Sequence, residues 1–156
     1  PDRTAVCELQ FRSFGMRACF CGPCVPLQAL DHRPVKEALS QPGDGRVLVV
    51  DVQGHPRFGV FGDRLATLAV RNGWAGVVVH GLIRDSRLVN ALDIGVKALG
   101  TTALRNPEAQ PSAFGQPLSF GAVRFDASLW VYADADAVLV GPPGLLPLPA
   151  DTPLIE

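Results

Sequence analysis

At 156 residues the chain is long enough to bury about 70% of the surface its unfolded form exposes, which suits one domain that folds without disulfide or metal staples. Fourteen basic residues stand against 15 acidic ones, a formal net charge of −1 with no long run of either sign, which excludes the electrostatic footprint of a direct nucleic-acid binder. The longest apolar runs, residues 47–50 and 74–79, are far shorter than the ~20 residues of a membrane helix, and no charged stretch followed by an apolar one opens the chain at Pro1, so no membrane partner and a cytoplasmic location are expected.

The first strong pattern is a short helix over residues 34–40. It has Pro34 in its first turn, Val35, Ala38 and Leu39 at helical spacing, and Pro42-Gly43 as a stop. Residues 46–51 then form a continuous aliphatic run closed by an acid, the pattern of a strand covered on both faces. From Asp63 to Asn72, Leu65, Leu68 and Ala69 recur at i, i+3 and i+4, and Gly73 stands where a left-handed cap is wanted, with Trp74 packing back. Residues 75–80 are the next buried strand, ending at His80. A further helix is expected over residues 86–92 with Ser86 at its cap, then a strand over 95–99. Strand, helix, strand, helix, strand implies an α/β domain around a parallel core.

After Gly100 the character changes. Residues 101–117 read as a long loop, followed by short strands at 118–120, 123–125, 129–132 and 138–140, the last two flanking an acidic turn. A single domain over residues 1–140 is expected, with residues 141–156, which hold five prolines, as a loosely attached tail.

Two residue pairs within this frame point to chemistry. Gly62-Asp63 and Arg84-Asp85 lie twenty-one positions apart across one helix and one strand. A ten-residue helix travels ~15 Å from its start and a six-residue strand returns ~20 Å, so both pairs finish beyond the carboxyl ends of the strands, where open α/β sheets bind ligands. The amides of Arg64 and Leu65 are then free donors at the positive end of a helix, fit for a small carboxylate. Arg84 adds a planar fork of donors, and Asp85 a hard oxygen ligand suited to magnesium, which needs few protein carboxylates. Together these suit a 2-oxo acid: helix amides hold its carboxylate, Arg84 stabilises an enolate oxygen, Asp85 binds the metal, and Asp63 orients a water that moves the proton. The plain alternative is that Asp63 only opens its helix and Arg84-Asp85 is a solvated turn.

Asp63, twenty residues, then Arg84-Asp85 resembles the motif of the class II pyruvate aldolases in the RraA-like family. Residues 9–15 (Leu-Gln-Phe-Arg-Ser-Phe-Gly), 45–51, 68–81, 92–100 and 132–136 (Tyr-Ala-Asp-Ala-Asp) are similar to further family signatures, so the resemblance covers most of residues 7–140. It implies a swivelling β/β/α fold with a central, mostly parallel sheet, a homotrimer that in some members stacks into a dimer of trimers, and active sites at subunit borders. It also implies a divalent metal on Asp85, magnesium with manganese as the alternative, and substrate contacts from Gly62, Asp63, Arg64, Leu65 and Arg84. The reactions implied are cleavage of 4-hydroxy-4-methyl-2-oxoglutarate to two pyruvates and decarboxylation of oxaloacetate. The competing role in the family is a non-catalytic regulator that binds and inhibits ribonuclease E. Two stretches depart from the family's pattern: Asp51-Val-Gln-Gly-His55 in place of an Asp-Gly-Gly-Gly-Ser turn, and the loop over residues 103–115.

Other residues invite chemistry that their context opposes. Cys21-Gly-Pro-Cys24 spells a thioredoxin-type motif, but no convincing helix follows Cys24, so thiols in a strand and turn are expected. Cys19, Cys21, Cys24 and His32 match no common zinc spacing. His80 is read as capping its strand beside the site, His55 as solvated, and Asp134 and Asp136 as turn formers rather than a catalytic pair.

Overall fold

The structure, a computed structural model, describes residues 4–145. Its elements in chain order are β1 (Ala5–Val6), β2 (Arg12–Phe14), β3 (Phe20–Ala29), α1 (His32–Leu39), β4 (Val47–Asp51), α2 (Asp63–Arg71), β5 (Gly76–Ile83), α3 (Ser86–Val89) and β6 (Gly95–Thr101). There follow β7 (Ser112–Phe114), β8 (Leu118–Phe120), β9 (Val123–Phe125), β10 (Trp130–Ala133) and β11 (Val138–Gly141). Strands β3, β4, β5 and β6 run parallel, as the alternation of strands and helices requires. Antiparallel strands extend this core on both sides: β2 beside β6, and β10, β11 and β1 in turn beside the first half of β3.

Because successive side chains of a strand leave on opposite faces, the apolar runs of β4 and β5 feed two cores. Leu48, Val50, Val77 and Val79 pack under Val35, Leu39, Leu65, Ala66 and Ala69 of the helices. Val47, Val49 and Val78 face the other way, against Phe120 and Phe125 of the β8–β9 hairpin and Val131 and Val140 of β10 and β11. The result is three layers, helices on sheet on sheet, which is the expected α/β architecture with a mostly parallel centre.

Several boundaries differ from the sequence reading for identifiable reasons. Helix α1 starts at His32, two residues early, because the buried Asp31 caps it by accepting from the Arg33 amide at 2.9 Å, worth ~1 kcal/mol for a typical cap. The same carboxylate accepts from the Gln110 amide at 2.7 Å and so ties the 105–110 loop to α1. Gly62 occupies the position before helix α2 without capping it, Asp63 is the first residue, and the helix ends as expected: Gly73 has φ +77° and Trp74 is buried behind it. The expected helix over 86–92 is one turn, α3, with Asp85 rather than Ser86 at its cap. Within the expected 101–117 loop, β7 pairs antiparallel with the end of β3.

The ten-residue β3 was the element least expected, since it contains Pro23 and Pro26. Both prolines stand where no partner needs their missing amide. The Cys24 amide donates to Leu129 at 2.9 Å, so by alternation Pro26 faces that same side and Pro23 faces β4. Pro23 comes one residue before pairing with β4 begins at Cys24, and Pro26 falls in the gap between β10 and β7, where its carbonyl alone is used, by Gly115 at 2.9 Å. The proposed tail begins inside β11 at Gly141; residues 142–145 fold back so that the Tyr132 hydroxyl donates to Pro142 at 2.6 Å and accepts from the Leu145 amide. Residues 146–156 of that tail lie outside the described residues. Among the described residues no helix is long and apolar enough to cross a membrane.

Candidate active site

The chain between β4 and α2 returns along the carboxyl end of β5. Gly59 bridges to Leu82 in parallel fashion, the Val60 amide donates to Leu82 at 3.3 Å, and the Arg84 amide donates to Phe61 at 2.7 Å. This short splice lays the start of α2 beside the end of β5, so the two residue pairs singled out in the sequence meet. Their contact is close enough to exclude side chains. A Cβ on Gly59 would stand 2.5 Å from Cγ of Arg84, and one on Gly62 would stand 2.7 Å from Oδ2 of Asp85. Gly62 has extended backbone, φ −146° and ψ −163°, so it is the proximity of the Asp85 carboxylate, and not backbone strain, that calls for glycine there.

The first hydrogen bond of α2 is from Ala66 to Gly62 at 2.9 Å, and no side chain caps the helix. The amides of Asp63, Arg64 and Leu65 therefore have no partner within the helix and carry its positive end. Asp85 adopts the left-handed conformation, φ 58° and ψ 40°, a backbone state that costs a non-glycine residue about 1 kcal/mol or more and gathers at functional sites. Arg84 is half-buried, and its Nε is enclosed without any hydrogen-bond partner.

All six residues proposed from the sequence, Gly62, Asp63, Arg64, Leu65, Arg84 and Asp85, line one cleft of about 850 Å³. The sequence did not point to the rest of its wall. From α1 come His32 and Lys36, one turn apart; from α2 come Thr67, Leu68 and Arg71, continuing the stripe begun by Arg64; from the loop after β6 comes Arg105. His32 also has a buried nitrogen, Nδ1, with no partner. Its burial, then the positive fields of Arg105, Arg33 and Arg84, hold the imidazole below its usual range against the opposing pull of Asp31. His32 is thus a neutral ring beside a cationic wall at neutral pH. The signal that could have found these residues is the i, i+4 spacing of His32 with Lys36 and the i, i+7 spacing of Arg64 with Arg71, which place charges on the faces where α1 and α2 meet.

Asp85 fits a metal of one kind. Among the described residues no three His, Cys, Asp or Glu side chains converge, so no caged zinc-type site is built. An exposed carboxylate in a polar cleft whose only other acid is Asp63 would suit a magnesium ion that keeps most of its waters.

The remaining sequence candidates lie elsewhere. His80 does not end its strand beside the site: β5 continues to Ile83, with an irregularity between Val79 and Leu82, and the His80 ring leaves on the opposite face. There Nδ1 lies 2.8 Å from Oδ1 of Asp51 and the ring stacks on Phe120 at 4.5 Å. His55 is exposed on a separate, smaller pocket. Asp134 shapes its turn by accepting from the amides of Asp136 and Ala137, as turn formers do. Cys21 and Cys24 sit in an extended strand, where residues three apart leave on opposite faces with Cα atoms ~10 Å apart, too far for a disulfide. Burial further pushes the Cys24 thiol up to about 12, the opposite of a redox-active cysteine.

Comparison with known proteins finds relatives over most of the chain. A family model described as "RraA-like: Aldolase/RraA" matches residues 2–140. A Xanthomonas campestris pv. campestris protein named "Putative 4-hydroxy-4-methyl-2-oxoglutarate aldolase" is 43% identical over 137 residues, 87% of this chain and 82% of that one. A Geobacillus kaustophilus crystal structure, named as an S-adenosylmethionine: 2-dimethylmenaquinone methyltransferase, superposes with a TM-score of 0.87 at 43% identity, covering 92% of this chain and 90% of its own. The Thermus structure named as the RNA-processing inhibitor RraA superposes with a TM-score of 0.86 at 34% identity, covering 90% and 87%.

Proposed function

The chain belongs to the RraA-like family, and from that premise we propose that it is a divalent-metal-dependent lyase that cleaves 4-hydroxy-4-methyl-2-oxoglutarate to two pyruvates and decarboxylates oxaloacetate. One observation carries the reading: the Asp85 carboxylate is seated over Gly62 at an uncapped helix start, beside an arginine whose Nε is buried without a partner. A protein has little reason to leave so many donors unused around one carboxylate unless a ligand supplies the acceptors.

The chemistry assigns each group a task. The amides of Asp63, Arg64 and Leu65 hold the substrate's 1-carboxylate. Asp85 would hold the hydrated metal, which, when bound, supplies Lewis-acid stabilisation of negative charge on the 2-oxo group. Arg84 directs its guanidinium at the same oxygen as that charge develops; one such donor typically contributes ~3 kcal/mol to the barrier. Asp63 orients the water that takes the proton from the 4-hydroxyl. The bond between C3 and C4 then breaks, its electron pair passing into the enolate of one pyruvate while C4 becomes the carbonyl carbon of the other, and the enolate regains a proton at C3. In oxaloacetate the same enolate forms as carbon dioxide leaves. The trimer implied by the family resemblance would cover apolar surface such as Met16, Leu104 and Phe114, which are more than half exposed in the single chain; sedimentation velocity tests it.

Pyruvate release from either substrate, measured with magnesium, with a chelator, and in Arg84→Ala and Asp85→Ala, tests the reading. Turnover that survives both substitutions would remove the proposed site. A second reading, a non-catalytic inhibitor of ribonuclease E, draws on the name of the Thermus neighbour; it gains if the parent chain yields no pyruvate and slows ribonuclease E. Methyl transfer is disfavoured by charge, because S-adenosylmethionine is a sulfonium cation and the cleft walls carry Lys36, Arg64, Arg71, Arg84 and Arg105.

A further inference from the structure

The cleft holds more positive charge than a single carboxylate can use. Five cations line it against two carboxylates, Asp63 and Asp85, a formal excess of three in a chain whose net charge is −1. None of the five makes an ion pair with a described residue; the pairs present involve Arg17, Arg33, His80 and Arg124. Side chains of one sign gathered without partners repel one another, and low-dielectric walls focus their field on whatever enters. A metal on Asp85 would raise the excess further.

The cations fall into two groups along the cleft. Arg64, in the first turn of α2, and Arg84, packed on Gly59 and Gly62, stand with the α2 amides at the inner end, and Arg105 joins them there, its field and that of Arg84 both reaching His32. Arg71 lies six residues beyond Leu65, ~9 Å along the helix axis, and lines the same cleft; the Cα–Cβ bonds of a helix tilt toward its start, which shortens that separation. Lys36 follows His32 by one turn, ~6 Å further along α1. The outer pair therefore stands one to two helical turns from the amides, within reach of the far end of a five-carbon chain whose 2-oxo acid end is held at Asp63 to Leu65.

We propose that Lys36 and Arg71 form a subsite for the second carboxylate of a five-carbon 2-oxo dicarboxylate, and so select such acids over 2-oxo monocarboxylates. The proposal rests on the lyase reading for the orientation of the ligand. It assigns to the α1–α2 groove the task of recognising the part of the substrate that lies beyond the breaking bond. That part leaves as the carboxylate of the second product.

The test compares two unreactive ligands that differ only at the far end, 2-oxoglutarate and 2-oxopentanoate, by titration calorimetry with magnesium present. The parent chain is expected to prefer 2-oxoglutarate by about tenfold or more, the scale of one charge-assisted contact. In Lys36→Met and Arg71→Met that preference shrinks, and in the double variant it approaches unity, with thermal melting checking that each variant is folded. Equal affinities in the parent, or a preference that survives the double substitution, would overturn the subsite. Pyruvate release in the parent chain separates this failure from that of the lyase reading. If no pyruvate forms but the preference is present and is lost in the double variant, the subsite stands and the lyase reading falls; if pyruvate forms without any preference, the reverse holds.

Discussion

Gly62→Ala is the substitution that most directly probes the junction of the two residue pairs. The added methyl would stand 2.7 Å from Oδ2 of Asp85, against 3.4 Å or more for ordinary contact, so the carboxylate must retreat by about 0.7 Å. The nearest other atoms, Asp85 Cγ at 3.6 Å and Arg84 Cβ at 3.7 Å, tolerate the methyl, and the extended backbone of residue 62 suits alanine. Asp85 is exposed, so its side chain can turn at a cost of about 0.5–1.5 kcal/mol for an imperfect rotamer. The expected change in melting temperature is correspondingly small, at most about 6 °C. Catalysis has less tolerance: displacement of a positioned group by ~1 Å typically costs ~100-fold. Pyruvate release by Gly62→Ala is therefore expected to fall ~10- to 100-fold, with a higher magnesium concentration needed for half-maximal rate. The cause is checked by a double-mutant cycle. In an Asp85→Ala background the Gly62→Ala change should add less than ~0.5 kcal/mol to the loss, because the group it displaces is gone. Parent-like turnover and metal dependence in the single variant, or fully additive losses in the double, would refute the reasoning.

Arg84→Lys keeps the charge but loses the planar fork, including the enclosed Nε; pyruvate release should fall ~100- to 1,000-fold with the melting temperature unchanged, and near-parent turnover would show that the fork is not used. Asp31, pushed up by burial but held lower overall by the Arg33 and Gln110 amides and the Arg33 guanidinium, has a depressed folded pKa. Its stabilisation is present above the ordinary carboxylate range near ~4 and is lost as pH falls through the folded value. Asp31→Ala should thus cost ~2–3 kcal/mol in urea unfolding at neutral pH, with the gap to the parent narrowing in acid; a gap independent of pH would sink this account. Cys24, buried and pushed up to about 12, should resist iodoacetamide in the folded chain at pH ~8 and react after unfolding, as peptide mass mapping would show.

Legibility of the fold followed how local each cause is. Residues 47–51, 118–120 and 123–125 carry their own pattern, and the structure holds strands at those positions. The long β3 does not, because what makes two prolines acceptable is where β4, β7 and β10 begin and end beside it. Those limits are set by distant segments. His80 was misplaced for a similar reason. Leu82 and Ile83 extend β5 because Gly100 and Thr101 of β6 pair with them past the irregularity and Gly59 and Val60 arrive on the other side of Leu82, and a strand's own composition does not announce its neighbours.

The site divides along the same line. Gly62, Asp63, Arg84 and Asp85 were legible because a helix and a strand of known rise return the chain to the same edge, whatever the remainder of the fold does. The cationic wall was not, since Lys36, Arg71 and Arg105 come from three segments whose meeting depends on how α1 packs on α2 and on Asp31 tying the 105–110 loop to α1. That dependence has a chemical consequence. The α2 amides, Arg84 and Asp85, fixed by short-range geometry, suit the part of a 2-oxo acid that every such substrate shares. The outer charges, Lys36 and Arg71, fixed by tertiary packing, stand where substrates differ. A change in the α1–α2 packing can therefore alter which acid is held without disturbing the group of residues that would act on its 2-oxo end.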